Sequence, residues 1–229
     1  MKKVLFLYLF IFSLSKSIAQ IQPVINDIES FRIWNFSQKN NEDISIKGSQ
    51  YLEEKFSLSK ISSVSNSQFE TRYNVFNDEM EVKDKGNLLL LNKFDSLTVV
   101  FTATNKTYEC KKYNFKGKEH LGFLNKLTTN ENVNLYLKEV ITFVPKKVAS
   151  SSYGSDVDAH YKVDSNVYYL QIGSSIIEFP SKKNSFIKEF NPQKEALENY
   201  FKTNDFKAKD EKNLINLVNF IDKSITKKP

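Results

Sequence analysis

The chain has 229 residues and a formal net charge of +6, with 33 Lys and Arg residues against 27 Asp and Glu residues. A single Cys excludes an intramolecular disulfide, and six Gly and five Pro are too few for a collagen-like or low-complexity chain. The only arginines are Arg32 and Arg72, whereas nucleic-acid sites favour Arg for phosphate and guanine contacts. Composition therefore indicates one globular domain with a sizeable core and no nucleic-acid partner.

The N-terminus has the pattern of a cleavable secretory signal peptide. Lys2 and Lys3 supply a positive start, and residues 4–14 form an uncharged apolar run. Ser17 and Ala19 then place small residues at the two positions that a signal peptidase recognises. The alternative is a membrane anchor, but a transmembrane helix needs about 20 apolar residues and this run is shorter. The pattern therefore predicts residues 1–19 to be a signal peptide.

Cleavage after Ala19 leaves a mature chain of residues 20–229. It lowers the net charge from +6 to +3, because three lysines and no acid are removed. A bacterial lipoprotein would need a Cys at the cut, and the single Cys is Cys110. We therefore expect an exported protein, periplasmic or extracellular, that is not a lipoprotein and has no transmembrane span after signal cleavage.

Patterning divides the mature chain into three segments of one globular unit. Residues 20–47 form an N-terminal arm or first strands, residues 48–180 an antiparallel β domain, and residues 181–229 a helical segment. The 19 Phe and 11 Tyr residues favour half-buried sheet surfaces. Short apolar runs between polar turns predict a mainly antiparallel β-sheet, barrel-like or sandwich, within the α+β class.

The clearest strand is residues 69–75, in which apolar or β-branched residues alternate with polar ones. Met80 and Val82 continue on the opposite parity, so we expect a bulge or tight bend near residues 77–78 that returns them to the core face. The continuous apolar run Leu88–Leu91 predicts a strand that is buried on both faces.

Several further strands follow before residue 180. Alternating or continuous apolar runs predict them at residues 97–104, 107–115, 121–124, 133–138 and 140–144. Asp164-Ser165-Asn166, between runs at residues 161–163 and 167–172, predicts a hairpin. Gly173 then predicts a turn into a last strand.

The periodicity changes after residue 180. Asn191-Pro192 predicts a helix start, because a capping residue precedes Pro at the first helical position. A second helix is predicted by a one-sided apolar stripe at spacings of three and four, formed by Leu214, Leu217, Val218 and Ile221. We expect two C-terminal helices docked on the sheet.

A string of short stretches resembles a group of uncharacterised exported, signal-peptide-bearing proteins common in Bacteroidota. The resemblance covers roughly Gly48 to Asp222, and it is the order of the stretches that carries it. They are Gly48–Leu52 with Phe56, Arg72–Asn74 with Asp78–Glu81, Gly122–Leu124, Leu135-Tyr136, Tyr168–Leu170, Lys182-Lys183 and Phe190. The resemblance implies an envelope or extracellular protein and no particular chemistry.

Asp156, Asp158 and His160 alternate, so an extended backbone would direct all three side chains to one side. Two carboxylates and an imidazole form a possible cation site. The alternative is a solvated loop that leads into the next strand. We keep the three residues as metal-ligand candidates, and the solvated loop is the favoured interpretation.

Arg72, Asp78, Glu79 and Glu81 form a possible charge cluster around the predicted bend. Two of the acids would suit the general acid and base of a glycoside hydrolase. The alternative is a structural ion pair that fixes the bend if Arg72 is partly buried. We favour the structural role, because acids in a turn are ordinarily solvated or paired.

The remaining patterns predict no catalytic residue and no cofactor. Cys110 and His120 lack a recognised nucleophile context, and no phosphate-binding or dinucleotide motif is present in the sequence. Our first hypothesis is a non-enzymatic binding or interaction module for an envelope protein or polymer. The alternatives are a hydrolase that acts on envelope or polymeric material and a small-molecule carrier with a cavity in the β domain.

Overall fold

The computed structural model describes residues 36–38, 46–62, 64, 67–149 and 155–226. The predicted signal peptide, residues 1–19, and most of the predicted arm, residues 20–47, lie outside the described residues. Among the residues that are described, no helix is long and apolar enough to cross a membrane.

Thirteen strands lie in the described part of the chain, and every pairing between them is antiparallel. In chain order they are β1 (Phe36–Gln38), β2 (Ser57–Ile61), β3 (Gln68–Asn74), β4 (Glu79–Asp84), β5 (Asn87–Leu91), β6 (Thr98–Phe101), β7 (Thr107–Phe115), β8 (Lys118–Lys126), β9 (Val133–Lys138), β10 (Ile141–Val144), β11 (His160–Val163), β12 (Val167–Ile172) and β13 (Ser175–Glu178). Eleven strands form one sheet in the order β1-β5-β4-β3-β2-β6-β7-β8-β9-β12-β13, and β10 pairs with β11. The large sheet curls into a half-barrel.

Helices follow the sheet, as the sequence predicts. They are α1 (Lys183–Glu189), α2 (Lys194–Thr203) and α3 (Glu211–Thr226). Asn191 and Pro192 begin a short 3-10 turn that leads directly into α2. The prediction of an antiparallel sheet with C-terminal helices is confirmed, and α1 is an additional helix, too short at seven residues to show a helical period in the sequence.

The first half of the sheet curls around a buried apolar cluster. Tyr73, Met80 and Tyr108 belong to this cluster, and the β10–β11 hairpin contributes Ile141 and packs Tyr161 against it. Tyr73 lies opposite Met80 across the β3–β4 turn, in which Asp78 has a positive φ of 57°. The tight bend predicted near residues 77–78 is therefore present, and it returns β4 to the same core face.

The second half of the sheet is covered on both faces. On one face, Leu135 and Leu170 pack with the apolar stripe of α3. On the other face, Tyr136 and Tyr169 lie opposite each other and pack with Tyr113. β13 contacts β7 across this second face. As a result, every residue of β9 is buried.

Two local predictions are wrong. Leu88–Leu90 are only half-buried, because β5 lies near the edge of the sheet beside the short strand β1. Residues 164–166 do not close a hairpin, because β11 pairs with β10 while β12 pairs with β9 and β13. In both cases the sequence pattern predicts the strands correctly but not which strands they pair with in the sheet.

Asp222 fastens α3 to the sheet. One carboxylate oxygen, Oδ1, accepts hydrogen bonds from the backbone N–H groups of Asn132 at 2.7 Å and Val133 at 3.0 Å, where β9 begins. We expect Asp222→Ala to lower the free energy of unfolding by about 1–3 kcal/mol, because two backbone donors lose their partner. Urea denaturation measures this loss.

The matched control is Asn216→Ala, an exposed position on the same helix. This variant should change the free energy of unfolding by no more than about 0.5 kcal/mol. Equal losses at the two positions would contradict a special role for Asp222.

Candidate functional site

A cavity of about 120 Å³ opens where four strands of the half-barrel end on the same side. The start of β2, the ends of β3 and β6, and the start of β7 meet there because neighbouring strands are antiparallel. We call this cavity the Tyr108 pocket. Its lining residues are Leu52, Glu53, Lys55, Ser57, Arg72, Tyr73, Val75, Phe101, Thr104, Lys106, Tyr108 and Glu139.

Aromatic rings form much of the wall of the Tyr108 pocket. The ring centroid of Tyr108 lies 4.9 Å from that of Tyr73 and 5.7 Å from that of Phe101. Val75 adds an apolar surface, and Leu52 stands at the rim with 39% of its surface exposed. The wall is therefore apolar at depth and accessible from solvent at one side.

A carboxylate and a phenol supply the polar groups of the pocket. The Tyr108 hydroxyl donates a 2.7 Å hydrogen bond to Glu139 Oε2, and Lys106 Nζ lies 3.3 Å from Glu139 Oε1. Glu139 is buried. Burial, and secondarily the charge of Glu139, raises the pKa of Tyr108 well above its usual range. The phenol therefore remains protonated and acts as the donor to Glu139.

Arg72 holds the chain segment that forms the rim. Its Nη2 lies 2.7 Å from Glu81 Oε2, and Glu81 is fully buried. The guanidinium carbon also lies 3.9 Å from the ring centroid of Tyr51 and 4.5 Å from that of Phe56. Ion pairing and cation–π contact thus fix residues 51–56 beside the pocket.

Asp78 belongs to a different cluster from Arg72 and Glu81. Its Oδ1 accepts hydrogen bonds from the Tyr73 hydroxyl at 2.6 Å and the Phe123 backbone N–H at 3.1 Å. Lys93 and Lys138 place ammonium groups 3.0 Å and 3.1 Å from its two carboxylate oxygens. The predicted charge cluster is therefore divided: β3 and β4 pair Arg72 with Glu81, while the turn carries Asp78 elsewhere.

The place of Asp78 follows from a gap in the sheet. β8 pairs with β9 at Asn125 and Lys126, near the end of β8. Earlier in β8, Phe123 lies opposite Cys110 of β7. The backbone N–H and C=O of Cys110 bond to Leu97 and Ser96, just before β6, and not to Phe123. The N–H and C=O of Phe123 therefore point away from β7. Asp78 and Tyr73 meet the Phe123 N–H and C=O there. Side chains from β3 and from the β3–β4 turn thus bond to the Phe123 backbone, for which the described residues provide no partner strand on this side.

Glu79, the remaining member of the predicted charge cluster, begins β4. It lies opposite Asn74 in the β3–β4 register and is partly buried. It thus stands between the two clusters in sequence, directly after Asp78. The four residues of the predicted charge cluster therefore do not form one site, because Arg72 and Glu81 pair with each other while Asp78 pairs with Lys93 and Lys138.

The three metal-ligand candidates do not converge. Asp158 forms an exposed ion pair with Lys47 at 2.6 Å, and Asp156 accepts a hydrogen bond from the Ala149 backbone. His160 Nδ1 lies 2.8 Å from the backbone oxygen of Asp158. Within the described ranges, no group of three or more His, Cys, Asp or Glu side chains is arranged to hold a metal ion.

Cys110 and His120 are likewise separate. Cys110 lies opposite Phe123 and His120 opposite Tyr113, so their side chains point to different faces of the β7–β8 pair. Burial raises the pKa of the Cys110 thiol to about 12. The thiol is therefore protonated at neutral pH and poorly suited to nucleophilic attack.

A second carboxylate cluster, not apparent in the sequence, surrounds Glu109. Its carboxylate accepts hydrogen bonds from Tyr136 at 2.7 Å and Lys126 at 2.9 Å, with Lys111 Nζ at 3.2 Å. Burial acts to raise the pKa of Glu109, but these hydrogen bonds and the two ammonium charges outweigh it and lower the pKa overall. The carboxylate is held in its ionised form on the sheet.

The sequence also did not predict that the residues of the Tyr108 pocket form a site. Tyr108 and Glu139 are 31 residues apart in the chain, and each lies in or beside an ordinary apolar run. An acid directly after a predicted strand was the only local signal at Glu139. No local pattern could indicate that it meets Tyr108, because the contact depends on the curl of the sheet.

Comparison with known proteins identifies no relative: no family model, no curated protein and no solved structure matches the chain. The resemblance to exported Bacteroidota proteins therefore stays a prediction. Any function of the chain therefore rests on the chemistry of the site itself.

Gly122 provides a direct test of the Asp78 cluster. A Cβ at position 122 would overlap the Asp78 carboxylate and lie 2.9 Å from the Tyr113 hydroxyl. We expect Gly122→Ala to lower the free energy of unfolding by about 1–3 kcal/mol through overpacking, measured by urea denaturation. In an Asp78→Gly background, which also suits the positive φ at position 78, the same change should cost less. A cost that is the same in both backgrounds would rule out this contact.

The Glu109 cluster predicts a dependence of stability on pH. Because folding lowers the pKa of Glu109, its stabilisation is present above the unfolded value of about 4.3 and is lost as pH falls through the lower folded value. We expect wild type to be more stable than Glu109→Gln at pH 7, with the difference shrinking towards pH 3. Urea denaturation at several pH values measures it. The exposed position Glu119→Gln is the control, and a constant difference at position 109 would contradict the prediction.

Proposed function

We propose that the mature chain, residues 20–229, is an exported, non-enzymatic binding module, and that the Tyr108 pocket receives an anchoring group of an envelope protein or polymer. The observation that carries this proposal is the convergence of three aromatic rings and a buried carboxylate on one accessible cavity. Apolar walls with a few placed polar groups are typical of binding sites. Perturbed ionisable groups, here Tyr108, are also concentrated at functional sites.

The size of the pocket favours an anchoring group over a whole ligand. Pockets for complete small-molecule ligands usually enclose about 300–1,000 Å³. The Tyr108 pocket, at about 120 Å³, has room for one side chain or headgroup. This supports the binding module over a small-molecule carrier. In protein interfaces, a few such buried anchors supply most of the binding energy.

The surroundings of the carboxylates favour binding over hydrolysis. Both oxygens of Glu139 already receive a partner, from Tyr108 and Lys106. Both oxygens of Asp78 are also occupied, and Glu81 is buried against Arg72. A glycoside hydrolase needs two carboxylates that face one substrate. Asp78 and Glu81 instead stabilise two different parts of the fold.

Export rests on the N-terminal pattern alone. The positive start, the short apolar run and the small residues Ser17 and Ala19 support a cleavable signal, hence a periplasmic or extracellular protein. Such a location would bring the pocket into contact with envelope proteins and polymers.

Two exposed leucines offer a matched test of the binding surface. Leu52 lies at the pocket rim, whereas Leu58 lies on β2 and does not line the pocket; their exposed fractions are 39% and 48%. We expect Leu52→Asp to abolish capture of the partner from an envelope extract by immobilised residues 20–229. Leu58→Asp should leave capture unchanged. Quantitative mass spectrometry of the bound material measures both.

The opposite results would count against the proposal. If both variants capture the same material as wild type, the pocket is not the binding surface. If Leu58→Asp alone loses capture, the partner binds the outer surface of β2. Urea denaturation of both variants ensures that loss of capture is not loss of folding.

A further inference from the structure

Apart from the Lys106 ammonium, the polar groups at Glu139 accept hydrogen bonds and leave the donor role to a guest. The single hydroxyl proton of Tyr108 is already donated to Glu139. The phenol oxygen and the remaining carboxylate lone pairs are acceptors. A guest that takes the place of Lys106 therefore gains a hydrogen bond here only if it brings an N–H or O–H donor.

The walls favour a donor that carries positive charge. The rings of Tyr73, Tyr108 and Phe101 are grouped at the pocket, and aromatic ring faces attract cations. Glu139 supplies a buried negative charge beside them. The apolar surfaces of Val75 and Leu52 suit a hydrocarbon stem, so a long side chain that ends in a cation matches both parts of the pocket.

Lys106 shows that an ammonium group fits on Glu139. Its Nζ lies 3.3 Å from Oε1, and 39% of its side chain is exposed. A half-exposed lysine at this distance is weakly held, so a better-placed ammonium can replace it at little cost. Lys106 thus acts as a resident occupant that must leave when a guest cation binds.

The other cations at the pocket are paired or exposed to solvent. Arg72 is neutralised by Glu81 and is enclosed by the rings of Tyr51 and Phe56. Lys55 is exposed at the rim, where the acid Glu53 is also exposed. Among the described residues that line the pocket, Glu139 is the one buried carboxylate. Its negative charge is paired only with a half-exposed lysine, Lys106.

We infer that the anchoring group is a primary ammonium or guanidinium at the end of an apolar stem, and that it takes the place of Lys106 on Glu139. This inference rests on the proposed function and specifies its ligand class. The cation comes from a lysine or arginine side chain of a protein partner or from a free amine, and the two sources share one chemistry. The experiment separates them.

The test titrates residues 20–229 with three probes of similar size, n-butylammonium, n-butanol and butyrate, followed by NMR chemical shifts. We expect n-butylammonium to bind most tightly and butyrate not to bind. Glu139→Gln should weaken n-butylammonium binding roughly tenfold, because a charge-assisted hydrogen bond is lost. Lys106→Ala should strengthen it, because the competing cation is gone, whereas the exposed control Lys112→Ala should leave it unchanged.

Butyrate binding as tight as that of n-butylammonium would overturn the inference. So would n-butylammonium affinity that is the same in wild type and Lys106→Ala, a result that stays decisive even if Glu139→Gln does not fold. A lysine-containing peptide that binds more tightly than the free amine, and loses this advantage on lysine acetylation, supports a protein source. Equal binding of peptide and amine supports a free amine.

The same variants separate this inference from the proposed function. Partner capture that depends on Leu52 but not on Glu139 or Lys106 would overturn the cation and leave the binding module standing. Capture that is indifferent to Leu52 would remove both.

Discussion

The hydrogen bonds and ion pairs of Asp78 hold the curled sheet together. β3 and β8 are separated in the sheet by β2, β6 and β7, yet the β3–β4 turn brings Asp78 to the backbone of Phe123 in β8. Lys93 and Lys138 neutralise its carboxylate. Only 17% of the Asp78 side chain is exposed, and a largely buried charge needs such partners because an unpaired one is destabilising. Gly122 leaves the space that the carboxylate needs.

The same strand connects this closure to the pocket. Tyr73 donates its hydroxyl proton to Asp78, and its ring forms part of the pocket wall. Its neighbour Arg72 points to the other face of β3, where Glu81 and the rings of residues 51 and 56 hold the rim. Because neighbours in a strand point to opposite faces, one short segment supports both the wall and the rim. Closure of the sheet and shape of the pocket therefore depend on each other.

Local sequence patterns predict the strands and helices but not which elements lie next to one another. The alternation at residues 69–75 and the stripe of α3 each predicted an element that the structure contains. The apolar run Leu88–Leu91 predicts burial on both faces, whereas β9 is the strand that is buried throughout. The sequence of β9 mixes polar and apolar residues, yet all of it is buried, because helices cover one face of the strand and the curled sheet covers the other. Burial thus followed the position of a strand in the sheet more than its hydropathy.

The sequence by itself determined the fold class, the helical C-terminus and the tight bend before β4, since each depends on residues that are close in the chain. The N-terminal pattern that predicts a signal peptide is also local, since it depends only on residues 1–19. Only the tertiary structure separated Asp78 from Arg72 and joined Tyr108 to Glu139, 31 residues away. Such contacts depend on how far the sheet curls and where β8 leaves β9, and the packing of the whole chain decides both.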